Sequence, residues 1–248
     1  MFVASKGVSM LKGIDISSWQ EGINLRDVIV RNELDFVVIK ATEGTGFVDD
    51  TCDYWVQTCR SNGTLWGFYH FACHNEPEAE ADYFFNACLN YFGEGIPVLD
   101  VETGQDGQWV QRFVDRLHAL TGVYPIIYMS TGYVETMYGT QVPSSCGLWA
   151  AQYPYYAHGF DDIEFSDTIA PWEFAAMWQF TSEGELDGYS GYLDLDYAFM
   201  DREAWGKYAN PEGNSFGAGQ TTQLPSTTSL HTFEDDKVRV TVEVKHGA

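Results

Sequence analysis

The stretch Ile96-Pro97-Val98-Leu99-Asp100-Val101-Glu102 ends an apolar run with two carboxylates, and it carries the fold prediction. Apolar runs of this kind are typical of strands buried on both faces of a parallel sheet. Side chains at positions i and i+2 of a strand point to one face, so the Asp100 and Glu102 carboxyl groups should lie together, with Cα atoms roughly 7 Å apart. The pair indicates either a site at the end of a buried strand or two acids that end a strand in solvent.

Seven further apolar runs of strand length occur in the chain, and helix-like segments separate the early ones. Strands that alternate with helices predict an α/β fold with a parallel sheet, and eight strands suggest a barrel whose last third lacks full helices. Besides residues 96–101, the strand candidates are residues 13–16, 36–40, 65–71, 125–129, 148–151, 175–180 and 192–195. The helix candidates are residues 25–34, 53–61, 77–89 and 108–120.

Further acids and aromatic residues follow the other strand candidates. The carboxyl ends of strands form the active-site face of a parallel barrel. Two acids in a partly desolvated mouth should differ in pKa, so that one is ionised and the other can hold a proton near neutral pH. Glycoside hydrolysis needs such a pair, and flat aromatic side chains commonly line sugar sites. The strand-end candidates besides that pair are Asp15, Glu43, Tyr69, His70, Tyr128, Trp149, Gln152, Trp178, Gln179 and Asp194.

Several of these side chains also have structural interpretations. His70 fits a hydrogen-bonded structural histidine better than a catalytic base. Lys40 fits an ion pair with Glu43 or another acid that holds the shape of the site. Asp196 could be a solvated neighbour of the acid two residues before it. Trp178 taken alone would more often be a core residue than a platform for a sugar ring.

Composition excludes some classes of function. The chain has 248 residues, with 13 Lys and Arg against 36 Asp and Glu, which gives a net charge of −23. This balance argues against nucleic-acid binding, since phosphate contacts need clustered cations, and against adsorption to anionic membranes. No apolar run approaches the roughly 20 residues of a membrane span. The five cysteines lack metal-ligand spacing and are expected to be reduced core residues, so no metal and no cofactor are predicted.

Four segments are predicted along the chain. Residues 1–12 lack the apolar core of a signal peptide and are expected to form a short leader. Residues 13–209 form the barrel, and residues 210–232, rich in Gly, Ser, Thr, Gln and Pro, form a flexible linker. Residues 233–248 contain the alternating strand Val238–Val244. A single strand cannot fold alone, so it must pair with the barrel, a second copy or a partner, unless it belongs to a longer protein.

The ordered set of strand-end motifs resembles glycoside hydrolase family 25, the Chalaropsis-type lysozymes, which include many phage endolysins. The resemblance covers about residues 12–208, and the ordered set is highly specific although each motif alone is weak. One departure is Asp196, where the family often has Asn; the extra acid could raise the pKa of nearby carboxylates. The motifs are Asp15-Ile-Ser-Ser-Trp-Gln, Lys40-Ala-Thr-Glu-Gly, Gly67-Phe-Tyr-His-Phe, Leu99-Asp-Val-Glu, Ile127-Tyr128, Leu148-Trp-Ala-Ala-Gln-Tyr153, Met177-Trp-Gln-Phe-Thr and Leu193-Asp-Leu-Asp.

The resemblance implies an irregular, flattened (β/α)-barrel of about five β/α units plus three further strands. It also implies an N-acetylmuramidase, which cleaves the β-1,4 bond between N-acetylmuramic acid and N-acetylglucosamine in peptidoglycan. Glu102 corresponds to the family's proton donor. Asp100 is expected to orient the 2-acetamido group of the substrate in a retaining, substrate-assisted reaction. Asp15 and Asp194 correspond to acids that shape the pocket.

The expected substrate contacts are Tyr69, Tyr128 and Trp149, which match groove-lining positions, together with Gln152 and Trp178. An N-acetylglucosaminidase and a non-catalytic cell-wall glycan-binding barrel remain alternatives. An amidase usually needs a zinc site, for which the ligand spacing is absent from the sequence. The expected place of action is the bacterial cell wall, reached either from outside the cell or by release from the cytoplasm as a phage lysin.

Overall fold

The chain is divided into two compact units, with the boundary after Ser215. The first unit alternates strands and helices, and the second contains a hairpin. The computed structural model describes residues 10–137, 145–154, 157–161 and 163–213, and the backbone of residues 229–235 and 238–244.

In the first unit, five strand-and-helix units are followed by three strands and a last helix, which confirms the predicted order. The patterns in the sequence predict neither β3 nor α5 nor α6. The strands are β1 (Leu11–Ile16), β2 (Phe36–Glu43), β3 (Phe47–Val48), β4 (Leu65–Phe71), β5 (Ile96–Asp100), β6 (Ile126–Ser130), β7 (Leu148–Ala151), β8 (Met177–Gly184) and β9 (Leu193–Ala198). The helices are α1 (Leu25–Asn32), α2 (Cys52–Asn62), α3 (Pro77–Ala87), α4 (Gly107–Thr121), α5 (Thr131–Met137) and α6 (Arg202–Ala209). Over the described ranges, no helix is both long and apolar enough to cross a membrane.

Eight strands close into a barrel, because β1 pairs with both β2 and β9. The order around the barrel is β1-β2-β4-β5-β6-β7-β8-β9, and all neighbours are parallel except β9, which runs antiparallel to β8 and β1. The short β3 adds to the end of β2. Because β9 is reversed, its first residues meet the carboxyl ends of the other strands. Asp194, the second residue of β9, therefore pairs with Asp15 of β1.

The inward side chains change from apolar to polar along the strands. On β5, Ile96 and Val98 belong to the buried core, whereas Asp100 lines the cavity at the carboxyl end. On β6, Ile126 is in the core and Tyr128 lines the cavity. Since alternate residues of a strand share a face, one half of the barrel is filled with apolar side chains and the other half carries polar groups. This gradient fixes where a site can form.

Local signals set the ends of α4, the helix that follows the end of β5. The Asp106 side chain caps its start by accepting the backbone N–H of Trp109 at 2.8 Å. The helix ends at Gly122, whose φ of 70° lies in the left-handed region that glycine adopts at little cost. These caps limit the loop between β5 and α4, which carries Glu102, to a few residues.

The predicted boundary of the leader is partly wrong. Leu11 and Lys12 belong to β1, and Leu11 is buried in the barrel core because this strand pairs with β9 on one side. Residues 1–9 of the predicted leader lie outside the described residues.

The second unit contains an antiparallel hairpin of β10 (Ser229–Asp235) and β11 (Val238–Val244), with Thr232 opposite Thr241. The prediction of a linker up to residue 232 is therefore wrong at its end, since its last four residues begin β10. The strand predicted for residues 238–244 is present and pairs with the segment before it. The sequence SLHTFED alternates less clearly than VRVTVEV, so periodicity alone did not predict β10. Residues 214–228 lie outside the described residues.

Candidate active site

A cavity of about 430 Å³ opens at the carboxyl-end face of the barrel. It brings together the four predicted catalytic acids and three of the five predicted substrate contacts, Tyr69, Tyr128 and Trp149. The acids that line it are Asp15 on β1, Asp100 and Glu102 at the end of β5, and Asp194 on β9. The aromatic residues that line it are Trp19, Tyr69, Phe71, Tyr128, Trp149, Tyr153 and Tyr192.

Asp100 and Glu102 share this cavity but differ in exposure. Asp100 is only 7% exposed, and its Oδ1 atom has no hydrogen-bond partner among the described groups. Burial, followed by the nearby charge of Glu102, raises the pKa of Asp100 well above its usual range. Glu102 is exposed at the cavity, and partial loss of hydration raises its pKa, while Lys40 opposes the rise. The pair therefore retains a proton more readily than free carboxylic acids do.

Gln179 orients Asp15 from the opposite wall. Its Nε2 atom donates to Asp15 Oδ2 at 2.6 Å, and its Oε1 atom accepts from the hydroxyls of Tyr128 at 2.8 Å and Tyr153 at 2.6 Å. An ionised carboxylate only accepts hydrogen bonds, so the N–H end of the amide faces Asp15 and the carbonyl end faces the two phenols, which can donate. Burial, followed by the charge of Asp194, raises the pKa of Asp15. The sequence placed Gln179 at a strand end but gave no reason to assign it this role.

Asp194 and Asp196 both face inward from β9. Burial, followed by the charge of Glu102, raises the pKa of Asp194 to about 6. Asp196 is 0% exposed, and its Oδ1 atom accepts a hydrogen bond from Trp149 Nε1 at 2.9 Å. The interpretation of Asp196 as a solvated neighbour of Asp194 is wrong, because β9 is a barrel strand whose inward face is covered by the opposite wall.

Lys40 brings a positive charge to the wall of the cavity. Its Nζ atom lies 2.6 Å from Glu43 Oε2, which confirms the predicted ion pair, and 4.7 Å from the centre of the Phe71 ring. Its charge lowers the pKa values of Asp100 and Glu102, against the larger effect of burial. Lys40 therefore limits how strongly the two acids hold their protons.

Three exposed aromatic side chains form the rim of the cavity. Trp19 is 89% exposed, Tyr192 59% and Tyr153 51%. Large aromatic groups exposed side by side mark a binding surface rather than a core. Trp19 lies on a short 3-10 turn after β1, which Ser17 caps by accepting the backbone N–H of Trp19 at 3.3 Å. Trp19 belongs to the motif Asp15-Ile-Ser-Ser-Trp-Gln, but the sequence pattern alone does not identify it as a substrate contact.

Two predicted substrate contacts do not line the cavity. Trp178 is completely buried, packs against the tilted rings of Tyr197 and Phe180, and donates its Nε1–H to the backbone oxygen of Gln152 at 2.7 Å. Gln152 follows β7 and lies outside the cavity lining. Strand alternation explains the result, since Gln179 faces inward and its neighbour Trp178 must face outward. The same alternation, applied to the sequence of β8, distinguishes the two residues.

His70 is a structural histidine, as predicted. It is 0% exposed, with Nε2 at 3.0 Å from Glu80 Oε2 and Nδ1 at 2.8 Å from Thr42 Oγ1. Burial lowers the pKa of His70. Glu80 also accepts the backbone N–H groups of Cys73 at 2.9 Å and Asn75 at 3.0 Å. The five cysteines are free thiols, and the described ranges contain no cluster of three or more potential metal ligands.

Comparison with known proteins identifies relatives of the whole barrel. The model of the family Glycosyl hydrolases family 25 matches residues 14–189. An N,O-diacetylmuramidase of Arthroderma benhamiae is 30% identical over 209 residues, which cover 74% of this chain and 84% of that protein. Lysozyme M1 of Streptomyces globisporus is 31% identical over 205 residues, which cover 75% of this chain and 67% of that protein.

A solved structure supports the same family assignment. The bacterial lysozyme of Streptomyces coelicolor aligns with a TM-score of 0.70 at 25% identity, covering 82% of this chain and 98% of that one. The match to the family model spans well over half of the chain and includes the Asp100–Glu102 pair. The chain is therefore a glycoside hydrolase and belongs to glycosyl hydrolases family 25.

Proposed function

We propose that this protein is a peptidoglycan hydrolase, an N-acetylmuramidase that cleaves the β-1,4 bond between N-acetylmuramic acid and N-acetylglucosamine. The observation that carries the proposal is the Asp100–Glu102 pair, with one acid buried and the other exposed in a cavity rimmed by aromatic rings. The relatives named as lysozyme and N,O-diacetylmuramidase support the choice of substrate. A barrel that only binds glycan has no need of such a proton donor.

Glu102 is the proposed general acid. It is accessible from the cavity, and its raised pKa favours the protonated form that the departing glycosidic oxygen requires. After that proton has been donated, the same group becomes the base that activates water in the second step of a retaining reaction. Lys40 keeps the pKa of Glu102 from rising further, so that the carboxylate can form when the proton is lost.

Asp100 is proposed to act on the substrate rather than on the leaving group. In a substrate-assisted reaction, the 2-acetamido oxygen attacks the anomeric carbon and an oxazolinium ion forms. A buried carboxyl group beside the reacting centre orients that amide and stabilises the positive charge that develops on it. Asp15 and Asp194 contribute to the negative field of the same cavity, and neither is proposed as a nucleophile.

The glycan is proposed to bind along the aromatic rim. The apolar faces of sugar rings can stack on Trp19, Tyr153 and Tyr192, while Tyr69 and Tyr128 line the inner wall. The net charge of −23 repels an anionic cell wall at low salt, so these specific contacts must outweigh the repulsion. The proposed place of action is the bacterial cell wall, reached from outside or by release as a phage lysin.

The test is digestion of purified peptidoglycan by wild type and by Glu102→Gln, followed by borohydride reduction and mass spectrometry of the new reducing sugars. We expect reduced muramic acid from wild type and at least about a 1,000-fold lower rate from the variant, within the range of general acid catalysis. The matched control is Glu203→Gln, an exposed glutamate on α6 that pairs with Lys207 at 2.8 Å. It should cleave at the wild-type rate.

Each other outcome would indicate a different activity of this protein. Reduced glucosamine from wild type would mean that the enzyme is an N-acetylglucosaminidase. Clearing without new reducing ends would indicate an amidase or peptidase, and wall binding without any release would indicate a glycan-binding barrel. Activity retained by Glu102→Gln would reassign the proton donor, provided that circular dichroism and thermal unfolding show both variants to be folded.

The hairpin of the second unit is proposed as a site of self-association. In a two-stranded sheet, β10 and β11 each have an outer edge that the other does not use, and β-edge addition is a common mode of pairing. A chain truncated after Asn210 is expected to contain fewer subunits per particle than the full chain, as measured by light scattering. An unchanged state would exclude this role.

A further inference from the structure

A second carboxyl group lies buried next to Asp15. Asp196 is 0% exposed; its Oδ1 atom accepts the Nε1–H of Trp149 at 2.9 Å, and its Oδ2 atom has no hydrogen-bond partner among the described groups. Strand register explains its position. Asp196 pairs with Gly13 of β1, so Asp15, two residues along β1, is its diagonal neighbour on the same inward face.

Two neighbouring carboxyl groups on one buried face favour retention of a proton. Each of them accepts one N–H, Asp15 from Gln179 at 2.6 Å and Asp196 from Trp149 at 2.9 Å. Asp15 borders the cavity, whereas Asp196 is completely buried and its Oδ2 atom has no partner among the described groups. Ionised carboxylates contain only acceptors, so a hydrogen bond between the two groups requires a hydrogen on one of them. Burial favours the neutral form, and the hydrogen therefore belongs on the more deeply buried Asp196.

We propose that Asp196 is a neutral positioning residue, which donates a hydrogen bond to Asp15 and ties that acid to the cavity wall. Gln179 donates to Asp15 from β8, so the two donors together leave the carboxylate one orientation. Gly13, opposite Asp196, provides no competing side chain, and it must be small because an added Cβ would overlap the Phe36 ring. The effect of this pair on turnover rests on the proposed function, whereas its proton does not.

The surroundings favour retention of that proton. Burial, followed by the charges of acidic neighbours, raises the pKa values of both Asp15 and Asp196. The acids are contributed by β9 and by the end of β5, and phenols face the pair from β4, β6 and the segment after β7. These groups are Asp194, Glu102, Tyr69, Tyr128 and Tyr153.

Equilibrium unfolding of the full chain at different pH values shows whether this proton is released when the protein unfolds. An acid that is neutral when folded and ionised when unfolded releases one proton on unfolding, which raises the unfolding constant about tenfold per pH unit. We compare wild type with Asp196→Asn between about pH 6 and pH 8. The Asn amide keeps a donor for Asp15 and an acceptor for Trp149 but has no titratable proton. The unfolding constant of the variant should therefore rise less steeply with pH than that of wild type, by about a factor of ten per pH unit.

The control for this measurement is again Glu203→Gln on α6, where the loss of an exposed glutamate should leave the slope unchanged. Infrared difference spectra give a second readout on the folded protein. At neutral pH, the carbonyl band of a protonated carboxyl group should be present in wild type and weaker in Asp196→Asn. Equal slopes and equal infrared bands would mean that Asp196 is ionised in the folded protein, which overturns the proposal.

Turnover of peptidoglycan separates positioning from packing. Asp196→Ala removes the donor, and we expect kcat to fall at least about tenfold, the effect of losing a hydrogen bond to a charged group. Asp196→Asn restores the donor and should recover most of that loss. If both variants lose kcat equally, the hydrogen bond does not position Asp15. Asp196→Val replaces the Ala variant if the latter does not fold. If wild type itself does not cleave peptidoglycan, the proposed function fails, but the unfolding slopes still decide the state of Asp196.

Discussion

Glu80 and Asp100 are both buried acids, but they differ in the hydrogen-bond donors that surround them. Glu80 is 0% exposed and accepts three hydrogen bonds, from His70 Nε2 and from the backbone N–H groups of Cys73 and Asn75. Asp100 is 7% exposed, and its Oδ1 atom has no partner among the described groups. The first acid fastens a loop to a helix, whereas the second lines the cavity.

The comparison teaches that burial alone does not identify a functional acid. Three donors offset the loss of hydration at Glu80, so the group can remain there as part of the scaffold. At Asp100 the loss of hydration is only partly offset, and the unfavourable energy is stored where substrate would bind. Counting donors around each buried carboxyl group therefore separates the two roles more reliably than the exposed fraction does.

Among the changes that test this comparison, Asp100→Asn has the largest expected effect. Removing the acid should lower kcat on peptidoglycan by about 100- to 1,000-fold, the effect of losing one preorganised electrostatic contact. The free energy of unfolding at pH 7.5 should stay within about 1 kcal/mol of wild type or rise, because the variant no longer has a poorly solvated acid. Initial rates and denaturant unfolding measure the two quantities. A large loss of stability would make Asp100 a structural acid and break the comparison.

Glu80→Ala should have the opposite balance. It leaves His70 and two backbone N–H groups without their acceptor, so we expect a loss of about 3–5 kcal/mol in the free energy of unfolding. The kcat of the fraction that remains folded should change much less than in Asp100→Asn. Denaturant unfolding, with activity measured below the transition, checks both. If Glu80→Ala were as stable as wild type but inactive, Glu80 would belong to the site.

Asp194 lies between these two cases and gives a pH dependence. Its pKa is about 6 in the folded protein, against about 3.9 in an unfolded chain. The folded state therefore binds more protons, and the stability that this acid contributes is present at low pH and is lost as the pH rises from about 4 to about 6. The loss is at most about 3 kcal/mol. Asp194→Asn should flatten the measured curve over this window; an unchanged curve would contradict the assignment.

The smallest effect extends the comparison from acids to tryptophans. Trp19→Ala should raise KM about three- to tenfold with little change in kcat, because it removes one exposed stacking surface. The matched change at the buried Trp178, Trp178→Phe, should lower stability by about 1–2 kcal/mol through loss of its 2.7 Å hydrogen bond to Gln152, with KM unchanged. Kinetics on soluble glycan fragments distinguish them. A raised KM in Trp178→Phe would mean that Trp178 does contact substrate.

Much of the fold follows from local patterns. Strands such as residues 96–100 are apolar on both faces, and helices such as α4 carry their own caps, so both are visible before any contact is known. The helix α6 is harder to predict, since it has eight residues and buries only Trp205 and Ala209. The hairpin partner β10 lacks strict alternation, so its first four residues, 229–232, are predicted as part of the linker.

The predictable part of the site consists of side chains at strand ends, because the barrel brings those ends to one face. Asp100 and Asp194 meet in one cavity because parallel strands end at one face and β9 enters that face in reverse. Burial of Asp196 and the orientation of Gln179 depend instead on the opposite wall, which a one-dimensional pattern does not contain. The exposure of Trp19 depends on a short turn whose direction is set by the cap at Ser17.

The order of the strands along the chain also has a consequence for biosynthesis. Glu102 follows β5 in the chain, whereas Gln179 and Asp194 reach the cavity only when β8 and β9 fill the gap between β7 and β1. A nascent polypeptide that ends before β8 thus contains the proposed acid without the wall that surrounds it. Chains that terminate before β8 are therefore expected to be inactive, because they cannot close the barrel around the cavity.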